Sequence, residues 1–177
     1  GMGNTWSSIE SYDGDRTRIY MTGTSAGASL CIYLAAMLES LELAEAFHVI
    51  PAELKIRAMG LVSGMYYTTK PDSIGLFLPS YVYGKQWKKS SFYPYINPEN
   101  EAILRHLPPA FLVTAYGDML RNYSRQYAEA MKRCGVICHL EDFDTGKKLP
   151  HAFSTTFPEM PESKRANERM VKFLLEH

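Results

Sequence analysis

The sequence predicts an α/β fold, a single domain in which a mostly parallel sheet carries helices on both faces. Two observations predict it. Short apolar runs that read as strands alternate with stretches of helical spacing, and the strand candidates are apolar almost throughout rather than at every second residue, as strands covered on both faces are. The length, 177 residues, falls in the range of one domain with a sizeable buried core.

Residues 18–23 read as a short strand, and 26–42, rich in alanine and leucine, as a buried helix. Residues 56–63, "IRAMGLVS", and 110–117, "AFLVTAYG", are two further strands, the second announced by the breaker Pro108-Pro109. A helix is expected over 122–133, stopping before Gly135, and a fourth strand over 136–143. The closing helix, 162–176, is amphipathic and puts Ala166, Met170, Phe173 and Leu174 on one side. Residues 65–98 break the rhythm, with Tyr66, Tyr67, Phe77, Tyr81, Tyr83, Trp87, Phe92, Tyr93 and Tyr95 set among prolines and glycines. This segment reads as a lid-like insertion.

Nineteen basic residues balance nineteen acidic ones, so no global field draws the chain to nucleic acid or to an anionic membrane. Small neutral partners fit that balance better. Cys31, Cys134 and Cys138 make an odd count without metal-ligand spacing, which favours a reducing compartment and argues against a metal site. No apolar run approaches the length of a membrane span. The start, Gly1-Met2-Gly3-Asn4, lacks the basic and apolar regions of a secretory signal, and Gly1 ahead of Met2 reads as a residue left by tag removal. The expectation is a soluble, cytoplasmic protein.

The chemistry-bearing stretch is Gly23-Thr24-Ser25-Ala26-Gly27, at the junction of the first strand and the first helix. A serine hydroxyl is a poor nucleophile in water and needs a base within hydrogen-bond reach, together with donors for the oxyanion formed on attack. A sharp strand-to-helix turn lifts Ser25 clear of the sheet, with small residues expected two before and two after it, at Gly23 and Gly27. The helix start directs backbone amides at the same point, so the Ala26 N–H is the expected oxyanion donor. The plain alternative is a polar residue in a tight turn.

With this context, the run "DRTRIYMTGTSAG" and the small-residue helix after it resemble the α/β-hydrolase superfamily, closest to its esterase and lipase branch related to hormone-sensitive lipase. Two later segments agree. "LPPAFLVTAYGDMLRN" matches the strand and acidic turn that follow the lid in that branch, which implies Asp118 as the orienting carboxylate; "LPHAFSTTF" matches its histidine loop, which implies His151 as the base. The order Ser, Asp, His is the one this fold uses. The resemblance runs from about Trp6 to Leu175.

The residues read independently allow the same roles. Asp118 lies just past the end of a parallel strand, the edge where ligands collect, and its alternative is a turn or helix-cap aspartate. His151 follows Pro150 after a polar loop, and its alternative is a mobile surface histidine. His48, His106, His139 and His177 sit in helix-end, strand or terminal contexts, while Glu141, Asp142 and Asp144, on or at the end of the last strand, are a rival source of the orienting carboxylate but are expected to be solvated.

The resemblance implies hydrolysis of carboxylic esters through an acyl-enzyme, without cofactor or metal. Small or short-acyl esters are the expected substrates, with acetylated sugars suggested by the aromatic segment. Alternatives are a prolyl-oligopeptidase-like peptidase and a non-catalytic, hydrolase-fold binding module. The family's glycine-rich His-Gly-Gly-Gly segment is absent from the 177 residues, and only seventeen residues precede Arg18. The sequence therefore looks like the C-terminal portion of a hydrolase whose nucleophile strand lacks a neighbour. A homo-oligomer or a covering N-terminal segment is expected to shield that edge.

Overall fold

The structure is a computed structural model that describes residues 12–76 and 78–177. In chain order its elements are β1 (Ile19–Thr24), α1 (Ala26–Glu39), α2 (Leu41–Ala46), β2 (Ile56–Val62), α3 (Leu78–Tyr83), α4 (Glu101–Leu104), β3 (Ala110–Ala115), α5 (Arg121–Arg133), β4 (Cys138–Phe143), α6 (Phe153–Thr156) and α7 (Pro161–Glu176). Single 3₁₀ turns at Trp87–Lys89 and Tyr93–Tyr95 lie between α3 and α4.

The four strands form one sheet in the order β1-β2-β3-β4, and every neighbouring pair is parallel. The register sets Thr24 beside Val62, Val62 beside Val113, and Ala115 beside Phe143, which brings the C-terminal strand ends to one rim. Alternating side chains serve opposite faces. Met59, Leu61 and Leu112 join α1 and α5 in one buried cluster with Ile32, Ala35, Tyr127 and Met131. Ala58, Val62, Phe111 and Val113 join the other cluster with Ala166, Met170 and Leu174 of α7. Both faces are covered, so β3 is buried along its whole length, as its nearly continuous apolar run requires. α7 lies so close to β2 that a Cβ at Gly60 would stand 2.2 Å from the Met170 sulfur.

Several boundaries differ from the sequence expectation for identifiable reasons. The helix expected over 26–42 ends at Glu39, because Ser40 adopts extended backbone (φ −135°) and its Oγ accepts the Leu43 N–H at 3.3 Å, starting α2. β4 begins at Cys138 rather than at residue 136. The Val136 N–H instead caps α5 through the Met131 carbonyl at 3.0 Å, with Gly135 at φ 80°, and these residues are used by the helix stop.

The aromatic segment 65–98 divides. Tyr66 and Tyr67 belong to the core, stacked on Tyr127 (4.5 Å) and edge-on to Tyr123 (5.1 Å) of α5, so they are not lid residues. Tyr83, Trp87, Phe92 and Tyr93 pack on one another with centroids 5.5–6.2 Å apart, and Phe92 stacks on Phe47 beyond α2. Phe77 and the first eleven residues lie outside the described residues. Among the described residues β1 is an edge strand with β2 as its one strand neighbour.

Candidate active site

Ser25 occupies the corner between β1 and α1 with φ 56° and ψ −118°, a backbone conformation that an L-residue holds only where its surroundings fix it. Here they do. The Ser25 N–H donates to the Val62 carbonyl at 2.9 Å, and the Ser25 carbonyl accepts from Ala28 (3.2 Å) and Met65 (3.0 Å). At Gly23 a Cβ would lie 2.4 Å from the Gly27 carbonyl oxygen and 2.7 Å from the Ala28 nitrogen, so only hydrogen fits. At Gly27 a Cβ would meet nothing within 4 Å, so the expected need for a small residue there has no steric basis in the described residues. The chain approaches itself from the Gly23 side of the corner alone.

Asp118 stands in the turn after β3. Its side chain is 0 % exposed, and a carboxylate taken out of water is costly unless donors surround it. Three do. The Leu120 N–H reaches Oδ1 at 2.9 Å, the Thr114 hydroxyl reaches Oδ2 at 3.1 Å, and His151 Nδ1 donates to Oδ1 at 2.8 Å. With Nδ1 carrying the proton, Nε2 is the ring's acceptor, and it receives the Ser25 hydroxyl at 3.0 Å. The imidazole is 32 % exposed, enough for solvent or substrate to reach it.

The loop bearing His151 is fastened at both ends. On one side the Leu149 N–H donates to the Tyr116 carbonyl at 2.8 Å, and Gly117, at φ 105°, lets the two loops close; a Cβ there would stand 2.8 Å from the Leu149 oxygen. On the other side Ala152, left-handed at φ 58° and ψ 31°, donates its N–H to Ser63 Oγ at 3.0 Å. The Ala26 N–H, at the start of α1, engages no acceptor among the described residues.

Sequence reasoning overlooked Thr114 and Ser63. Thr114 carries a visible signal, a hydroxyl in an otherwise apolar strand four residues before Asp118; Ser63 looks like an ordinary strand end. The acidic group on and just after the last strand is also corrected. Glu141 and Asp142 are largely covered rather than solvated: Asp142 pairs with Arg121 (2.8 Å) and Arg125 (2.9 Å), Glu141 pairs with Arg169 (2.7 Å), and the exposed Asp144 also reaches Arg121 (2.9 Å). These guanidiniums hold Asp144 below the usual carboxylate range, chiefly through the Arg121 bond. His139 and His177 stack on Phe111 and Phe173, and His48 reaches Ser91. Among the described residues no group of three or more His, Cys, Asp or Glu side chains is placed to hold a metal ion, and no helix is long and apolar enough to cross a membrane.

Known proteins place this arrangement in context. A search of curated proteins found no match. Among solved structures, esterase B from Lactobacillus rhamnosis (HN001) superposes with a TM-score of 0.82 at 21 % identity, over 95 % of this chain and 56 % of that one. A second structure of esterase B, inhibited by a C4-C4 SN3 tributyrin phosphonate, gives 0.80 at 22 %, over 91 % and 52 %. The Pyrobaculum calidifontis esterase gives 0.70 at 20 %, over 97 % and 57 %. The chain thus spans little more than half the length of these relatives. A family profile for the alpha/beta hydrolase fold matches residues 4–155. That match takes in all four strands, the Ser25 corner and the loops of Asp118 and His151, and on this ground the chain belongs to the α/β-hydrolase fold family.

Proposed function

We propose that the chain is a serine hydrolase that cleaves carboxylic esters of small or short-acyl substrates. The observation that carries the reading is the unbroken hydrogen-bonded line from the Ser25 hydroxyl through the His151 ring to the Asp118 carboxylate, 3.0 and 2.8 Å long. In the proposed reaction His151 Nε2 takes the Ser25 proton as Oγ attacks the ester carbonyl, then returns it to the departing alcohol. Water repeats the cycle on the acyl-enzyme and frees the acid. Asp118, fixed by Thr114 and Leu120, holds the imidazole in the tautomer that leaves Nε2 free, and it stabilises the ring when charged.

The Ala26 N–H is the proposed oxyanion donor. A donor of this kind is worth on the order of a hundred- to a thousandfold in rate. Acetylated sugars fall within the proposed substrate class because Tyr81, and Tyr93 at the rim of the packed aromatic group, remain exposed to solvent. The similarity to esterase B, whose inhibitor is a tributyrin phosphonate, supports a short-acyl preference.

Hydrolysis of acetyl, butyryl and octanoyl p-nitrophenyl esters tests the reading. Turnover is expected for the first two, reduced for the third, and lost in Ser25→Ala. Turnover that survives Ser25→Ala would overturn it. The second reading is a binding module of the same fold without turnover. A folded chain inert to esters and to serine-directed probes would favour it.

A further inference from the structure

Five non-glycine residues among those described have positive φ: Asp13, Ser25, His48, Ser63 and Ala152. Three of them meet at the candidate site, and two of these, Ser63 (φ 48°) and Ala152 (φ 58°), touch each other across 89 positions of sequence through the bond from the Ala152 N–H to Ser63 Oγ. Neither is a residue type that favours this conformation, which persists where surrounding contacts over-determine it, and such clusters gather at working sites.

The surroundings of Ser63 are unusual in a second way. The stretch just past β2 is bonded to both halves of the catalytic pair: the Val62 carbonyl receives the Ser25 N–H at 2.9 Å, the Met65 N–H returns to the Ser25 carbonyl at 3.0 Å, and Ser63 Oγ between them receives the residue that follows His151. Ser63 itself is 0 % exposed, and its N–H is fixed to the Val113 carbonyl at 2.8 Å, so its hydroxyl has little freedom to move. We infer that Ser63 is a positioning residue: by holding the Ala152 amide it sets the distance and angle of the His151 ring relative to Ser25, while touching no reacting atom. The inference rests on the proposed Ser25–His151–Asp118 mechanism.

The left-handed turn explains why the side chain matters more than the backbone. Glycine would accept φ 48° without strain but offers no acceptor, and alanine keeps the strain while also lacking one. Both Ser63→Gly and Ser63→Ala therefore release the His151 loop, and Ser63→Gly does so while relieving backbone strain, which separates positioning from stability. A displacement of about 1 Å between a nucleophile and its base costs on the order of a hundredfold in rate.

The test uses saturation kinetics of a fluorophosphonate with wild type, Ser63→Ala and Ser63→Gly, together with melting temperatures and the low-field proton resonance of His151 Nδ1–H. Both variants are expected to lose about a hundredfold in the maximal labelling rate with the probe's half-saturation concentration unchanged, and to lose or broaden the His151 resonance. A Ser63→Gly chain that melts as wild type and labels at the wild-type rate overturns the inference while leaving the serine-hydrolase reading intact. If wild type itself takes no label, the mechanism fails on its own account and the resonance decides: its loss in both variants still supports Ser63 as the anchor of the ring, and its retention overturns that role.

Discussion

Replacing Gly23 with alanine is the sharpest steric challenge to the corner. The added methyl would sit 2.4 Å from the Gly27 oxygen, 2.5 Å from its carbonyl carbon and 2.7 Å from the Ala28 nitrogen. All three are backbone atoms, about 1 Å inside ordinary contact, and no rotamer can move them away. They belong to the first turn of α1, which the bond from Ala28 to the Ser25 carbonyl holds against β1. Relief therefore requires the strand end and the helix to part by about 1 Å. Overpacking of this kind costs about 3 kcal/mol at its upper range. For a chain of this size that lowers the melting temperature by about 6–12 °C. Parting the corner also shifts Ser25 from His151, with about a hundredfold loss in the rate of serine labelling. Gly27→Ala is the internal control: its methyl meets nothing within 4 Å, and alanine in a helix gains about 0.5–1 kcal/mol over glycine, so its melting temperature is expected to rise by a few degrees. Thermal melts followed by circular dichroism, paired with fluorophosphonate labelling, measure both effects. A Gly23→Ala chain that melts and labels as wild type would refute the reasoning.

Asp118→Asn keeps the shape of the side chain but removes the charge that favours Nδ1–H, so ester turnover is expected to fall by about 10³- to 10⁴-fold with little change in half-saturation; a fall under tenfold contradicts the assigned role. The Tyr123 hydroxyl, followed by the Gly75 and Ile74 amides, holds Asp72 below the ordinary aspartate value of 3.8. A carboxyl lowered by folding stabilises the chain above its unfolded value, and the contribution is lost as pH falls through the folded value, so the melting gap between wild type and Asp72→Asn should be full at pH 6 and close below about pH 4. A gap independent of pH contradicts this. Burial pushes the Cys138 thiol up to about 11, so its alkylation by iodoacetamide at pH 8, resolved by peptide mass spectrometry, is expected to be about a hundredfold slower than that of a free cysteine. Reaction at the free rate refutes the burial. Among the described residues β1 has no strand on its outer side; we propose that a second copy covers it, which size-exclusion chromatography with light scattering would register as twice the chain mass, and a clean monomer counts against it.

The sequence was informative where one local signal had one physical cause. Nearly continuous apolar runs at 56–62 and 110–115 are strands because helices cover both sides of them, and Gly135 ended α5 because its left-handed turn closes the helix carbonyls. Ser25 is marked by its place between an apolar strand and a helix, and Asp118 and His151 by the resemblance to the esterase branch; the fold brings all three within hydrogen-bond reach. What stayed hidden depends on distant segments. Ser40 splits a helix that propensity alone would continue, since its hydroxyl competes for the Leu43 amide. Tyr66 and Tyr67 read as lid residues by composition, yet their rings are committed to Tyr127 and Tyr123 some sixty residues away. Ser63 carried no signal, because its partner is an amide 89 positions further on. The arginines that cover Asp142 were equally invisible, since α5 and β4 meet only in three dimensions.

The central claim is that the Ser25 hydroxyl is the activated nucleophile of this chain. The most direct measurement is intact-mass and peptide mass spectrometry after incubation with a fluorophosphonate. The account predicts a single adduct, mapped to Ser25, absent in Ser25→Ala and formed far more slowly in His151→Ala. A folded chain that takes no adduct, or takes it on another residue, contradicts the account.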